Sequence, residues 1–164
     1  MAPDKLSGAI FCYYGMPVSF RSSSGKGLHT AVDELPGEAA LRRIIDTCRS
    51  NGIEPVLMAL PAPVSEEEQM EMNRAQLLAD ELGVPFLNLF DEATGIDFTT
   101  DCYDYLGHMN PDGATKLTAF LGAWLSERYE LTDHRTDAAY AAWNEKLEQY
   151  EAYRAEHWPA ASGT

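Results

Sequence analysis

The residues best suited to chemistry lie in one run, Asp101-Cys102-Tyr103-Asp104-Tyr105-Leu106-Gly107-His108-Met109-Asn110-Pro111-Asp112-Gly113-Ala114. A histidine just ahead of a helix start, preceded by carboxylates, has the makings of a general base. One carboxylate can fix the imidazole tautomer and stabilise the protonated ring. Asp104 precedes His108 by four positions and Asp101 by seven, so Asp104 is the first candidate orienter and Asp101 the reserve. The competing expectation is a loop histidine that only bonds locally. A calcium loop fits poorly: with Asp97 as first ligand, Cys102 falls where the turn needs glycine and His108 where it needs glutamate. Cys102 with His108 would make a thiolate pair, but neighbouring carboxylates disfavour a thiolate. Ser7 and Ser22 to Ser24 are the serines that bear on a nucleophile, and none follows a strand in a Gly-x-Ser turn. His29, His134 and His157 are scattered and read as surface groups. No cofactor or metal set is indicated.

The elements that must position this run follow from periodicity. Leu41, Ile44, Ile45 and Cys48 form a helical stripe over residues 36–51, ended by Asn51-Gly52. Pro55 to Leu60 and Val84 to Leu89 are short apolar runs, the pattern of strands buried in a parallel sheet. Between them Ser65 and Glu68 form a capping box that opens a helix to about Leu82, with Gly83 as its stop. Its buried face is expected to include Met70, Leu77 and Leu78. After Leu89 comes an acidic loop with Asp91, Glu92, Asp97, Asp101, Asp104 and His108, leaving the carboxyl end of a strand, where open α/β sheets place ligand sites. Asn110 as N-cap and Pro111 at the first helical position start a helix to about Tyr129. The tail from about Thr136 to Trp158 is helical, its stripe of Tyr140, Trp143, Leu147, Tyr150 and Arg154 suited to packing. Ala9 to Tyr14 is a third possible strand.

The fold expected is α/β, a three-layer parallel sheet that is incomplete. Its divisions are an irregular segment 1–35 with one possible strand, an α/β core 36–132 and a helical tail 133–164.

At Asp101, Asp104, His108-Met109-Asn110 and Gly113-Ala114 the chain resembles the last block of the SGNH/GDSL hydrolase superfamily, as found in bacterial members. Asp133-His134-Arg135 with Tyr140 and Trp143-Asn144 resembles the tail of one bacterial subgroup. The resemblance covers roughly residues 36–150 and implies a flavodoxin-like fold. It further implies acyl-ester hydrolysis or transfer by a serine nucleophile, with His108 as base. An acyl ester or an acylated carbohydrate would be the substrate. The Gly-Asp-Ser nucleophile block and the Gly-x-Asn-Asp oxyanion block are absent, and Tyr105 stands where the usual Asp-x-x-His spacing puts aspartate. The chain is therefore expected to be the C-terminal part of such an enzyme, inactive as it stands. The alternative is a non-catalytic binding or assembly module that keeps the same shell.

Charge and composition bound the partners. Of 164 residues, 26 are acidic and 12 are lysine or arginine, a net charge of −14 that repels phosphate backbones and disfavours nucleic acid. No apolar run approaches the ~18 residues that cross a bilayer, and no secretory signal is visible. Cys12, Cys48 and Cys102 form no CxxC pair, so neither zinc nor a disulfide framework is indicated. Too few strands for the number of helices leaves sheet edges and apolar faces to cover. This predicts a homodimer or a partner-dependent fold.

Overall fold

The computed structural model describes residues 29–89, 94–104 and 107–158. The possible strand Ala9–Tyr14, the serines Ser7 and Ser22 to Ser24, Cys12, Asp91, Glu92 and Tyr105 lie outside them.

The order is α1 (Glu38–Ser50), β1 (Leu57–Ala59), α2 (Glu66–Leu82), β2 (Phe86–Asn88), α3 (Pro111–Arg128), a 3₁₀ turn (Ala138–Tyr140) and α4 (Ala141–His157). β1 and β2 pair in parallel, Leu57 beside Phe86, Met58 beside Leu87 and Ala59 beside Asn88. α2 joins them as a βαβ unit. Its start is the capping box read from sequence. Ser65 Oγ accepts from the Glu68 amide at 3.3 Å, and Glu68 Oε2 accepts from the Ser65 amide at 2.7 Å. Gly83 ends it in the left-handed region, φ 61°, where a side chain would be strained.

The core gathers Ile45 of α1, Leu78 and Ala79 of α2, Val84, Leu87 and Leu89, all 5% exposed or less. The α2 face differs from expectation: Leu77 is 53% exposed, while Gln69, Ala75, Leu78 and Ala79 are buried. Small residues at 75 and 79 leave little side chain between the helix and what it covers. α1 is tied to α2 by charge. Arg42 bridges Glu38 at 2.8 Å and Glu81 at 3.0 Å, Arg74 reaches Glu38 at 2.9 Å, and Arg49 donates to the Leu82 carbonyl at 2.6 Å.

The expected three-layer, flavodoxin-like parallel sheet is not what forms. Among the described residues the sheet has two strands of three residues each, beside four helices. Three layers require strands covered on both faces and helices that bury a stripe against each. Met58 of β1 is 42% exposed, α3 buries only Gly113, and α4 buries nothing. After β2 no described segment adds a strand to the sheet.

Candidate functional site

Two short backbone runs form a small antiparallel ladder ahead of α3. Cys102 is bridged to Met109, the Tyr103 amide donates to the His108 carbonyl at 3.0 Å, and the Asn110 amide donates to the Asp101 carbonyl at 2.9 Å. Alternation in such a ladder puts Asp101, Tyr103, His108 and Asn110 on one face and Cys102 and Met109 on the other. Gly107 lets the return run approach the chain just past β1. Its φ is +88°, and a Cβ there would sit 3.0 Å from Pro63 Cδ. The ladder is thus set against the carboxyl end of β1.

Asn110 locks the ladder to α3. It is 3% exposed. Its Oδ1 accepts from the Asp112 and Gly113 amides at 3.0 Å each, and its Nδ2 donates to the Thr100 carbonyl at 2.7 Å. With those two amides engaged, they are not available to an incoming anion. Gly113 completes the lock: a Cβ would fall 2.2 Å from the Asp101 carbonyl oxygen.

The structure separates the two candidate orienters. Asp104 Oδ2 accepts from His108 Nδ1, and its Oδ1 accepts from the His108 amide at 3.1 Å, so the carboxylate grips ring and backbone together. The Tyr103 ring lies nearly parallel to the imidazole, 6.1 Å between centroids. Asp101, on the same ladder face, turns away from the histidine. Its side chain is 3% exposed and paired with Lys116 Nζ at 2.8 Å, while its Oδ2 accepts from the Asp97 amide at 2.7 Å. Asp101 therefore closes the 97–101 turn onto α3. Lys116 was not singled out by sequence reasoning. The available signal was its place one turn beyond Gly113, on the helix side that meets Asp101.

A carboxylate acceptor at Nδ1 places the proton of the neutral ring there and leaves Nε2 as the basic lone pair. The His108 side chain is 60% exposed, and no described residue hydrogen-bonds Nε2. Such a ring can take a proton from a water or hydroxyl brought to it. Cys102 cannot act as its nucleophile. Burial first, then the nearby Asp101, Asp104 and Asp97, push its thiol up to about 11, and its side chain belongs to the opposite face of the ladder.

Beyond the first turn of α3 lies a cleft of about 550 Å³ between Thr100, Asp101, Asp112, Lys116, Arg154 and Trp158. Its charges pair off internally, Lys116 with Asp101 and Arg154 with Asp112 at 2.5 Å. His108 does not line it. Among the described residues no three His, Cys, Asp or Glu side chains are grouped to hold a metal ion, and no helix is long and apolar enough to cross a membrane.

Comparison with protein-family models, curated proteins and solved structures finds no match to this chain.

Proposed function

We propose that the ladder carries the acid–base half of an acyl-ester hydrolase site, with His108 as general base and Asp104 as the carboxylate that orients it. The observation that supports this is the paired Nδ1 with an open, exposed Nε2. The reading also leans on the likeness of this block to SGNH/GDSL hydrolases, whose sheet the described residues do not reproduce. Among the described residues no nucleophile or oxyanion donor meets Nε2, and a base without them forfeits most of the rate enhancement of a complete triad. The chain by itself is inactive toward ordinary acyl esters or acylated carbohydrates.

An activated ester, whose carbonyl carbon a free imidazole nitrogen attacks, tests whether Nε2 is open and reactive. With p-nitrophenyl acetate the full chain releases nitrophenolate slowly, at the level of an accessible imidazole. His108→Ala removes the largest share of that rate, and Asp104→Asn lowers it. Equal rates in the wild type and His108→Ala discard the proposal. Fast turnover abolished by His108→Ala would instead place a nucleophile at Ser7 or Ser22 to Ser24.

One observation favours a second reading, a non-catalytic binding or assembly module: α4 buries none of its 17 residues and leaves Trp143 68% exposed.

A further inference from the structure

β1 has one edge paired and one edge open. The Leu57 amide donates to the Pro85 carbonyl at 2.9 Å and the Leu89 amide to the Ala59 carbonyl at 3.0 Å, so residues 57 and 59 turn their backbone groups toward β2. Alternation along a strand turns the Met58 amide and carbonyl the other way. Among the described residues no strand pairs with them. The apolar side chains of this strand are also uncovered, Met58 42% exposed and Leu60, just past its end, 56%. Strands of parallel sheets are ordinarily covered on both faces, and a bare edge is a template for another strand.

The helices show which segment belongs there. Glu38 with Arg74, Arg42 with Glu81, and Arg49 with the Leu82 carbonyl set α1 beside α2, the two running the same way. α2 is the crossover from β1 to β2, and α1 lies in the same layer and leads into β1. Parallel crossovers are right-handed in about 98% of cases. With both helices on one face, a strand that precedes α1 falls on the side of β1 away from β2, at the open edge. The chain also arrives from the matching end. The Val32 amide donates to the Met70 carbonyl at 3.3 Å and Asn73 Nδ2 to the Thr30 carbonyl at 2.8 Å. Residues 30–32 are thereby held against the first half of α2, at the carboxyl end of the sheet. That is the end at which a strand parallel to β1 releases the chain.

We propose that the open edge of β1 receives residues 9–14 of this chain as a parallel strand, with α1 as the crossover between them. Ala9-Ile10-Phe11-Cys12-Tyr13-Tyr14 is apolar throughout, with Ile10, Phe11, Tyr13 and Tyr14 of the types that favour strands, and Gly15 and Pro17 close the run. The 15 residues from Gly15 to His29 reach about 50 Å when extended, ample to join Tyr14 to Thr30. The added strand brings no further helix layer and does not depend on the chemistry of His108.

The test is amide hydrogen exchange on the full chain, read residue by residue by NMR. The Met58 amide is expected to be protected alongside that of Leu57, whose bond to the Pro85 carbonyl serves as the control. The double variant Ile10→Pro/Phe11→Pro removes two consecutive donors, one of which faces β1 in either register. In it Met58 exchanges roughly tenfold faster or more, while Leu57 and the first turns of α2 keep their protection. Fast Met58 exchange in the wild type, or Met58 protection that survives both prolines, overturns the proposal. If the variant loses protection everywhere it has unfolded, and proton contacts in the wild type decide instead. Cross-strand contacts between residues 9–14 and 57–60 support the proposal, and their absence overturns it. Contacts seen only between differently labelled copies in a mixed sample give the edge to a second copy and overturn the occupant.

Discussion

α2 and α4 are each 17 residues long and are held in opposite ways. α2 begins in a capping box, ends on a left-handed glycine, buries Ala75, Leu78 and Ala79, and shares the Glu38–Arg74 ion pair with α1. α4 has no side-chain cap and no buried residue, and is tied by polar contacts at its ends. An isolated helix of this length is marginal in water, and tertiary packing supplies most helical stability in proteins. Length and periodicity therefore do not distinguish a helix that builds the core from one that leaves its apolar side chains exposed. Buried volume does.

The change with the largest expected effect strikes the buried side. Leu78 is fully buried in α2, and Leu78→Ala is expected to lower stability by ~2–5 kcal/mol through lost transfer energy and the cavity left behind. Urea unfolding followed by far-UV circular dichroism measures it. A loss under about 1 kcal/mol, the middle of the range for point changes in general, would mean that α2 is no better packed than α4.

Gly113→Ala comes next. In an open helix this change adds helix propensity, up to ~1 kcal/mol. Here the new Cβ meets the Asp101 carbonyl at 2.2 Å, so backbone must move. Overpacking of this kind costs ~1–3 kcal/mol, and the clash outweighs the propensity. Loss of amide protection at Asn110, read by hydrogen exchange, would locate the damage at the ladder. A more stable variant would show that α3 does not sit this close.

Gln69 is the flaw in the packed helix. It is 1% exposed, its Nε2 donates to Asn73 Oδ1 at 3.0 Å, and its Oε1 has no partner among the described residues. A buried polar atom left unmatched costs ~1–3 kcal/mol. Gln69→Met keeps a long, unbranched side chain and removes the orphan oxygen. It is expected to stabilise by ~1 kcal/mol after the lost bond to Asn73. Destabilisation would instead make the amide a needed contact.

Acid separates the two helices by charge. The guanidiniums of Arg42, then Arg74, hold the Glu38 carboxyl below its ordinary value. Its contribution to stability is present above the ordinary carboxylate range and lost as pH falls through the lowered folded value. Glu38→Gln should shallow the acid limb of a stability-against-pH curve for the α1–α2 unit. An unchanged limb would deny the pair any role in stability.

What was legible in the sequence was local. Ser65 with Glu68, Gly83, and Asn110 with Pro111 set helix ends through neighbouring atoms, and each end lies where those residues put it. The sheet was not legible: apolar runs at 55–60 and 84–89 show that strands form, but not how many others join them. The spacing ranked Asp104 ahead of Asp101 as the partner of His108, but it carried no sign that Asp101 would be held by Lys116 on α3 and by the Asp97 amide. The spacing of Trp143 and Leu147 puts them on one face of α4, yet the pattern is the same whether the chain covers that face itself or leaves it exposed, as it does here.

The smallest expected effect completes the comparison. Trp143→Ala removes a far larger side chain than Leu78→Ala, yet Trp143 is 68% exposed. Little apolar area leaves water at this position on folding, so little transfer energy is lost with it. Alanine also has the better helix propensity, which offsets part of what contact remains. The net change should stay within ~0.5 kcal/mol, the range of ordinary surface substitutions. Urea unfolding at two protein concentrations checks it. A larger loss that is independent of concentration would show the indole packed against its own chain, and α4 would then be held as α2 is. A larger loss that grows with concentration would show a second copy covering the face in the wild type.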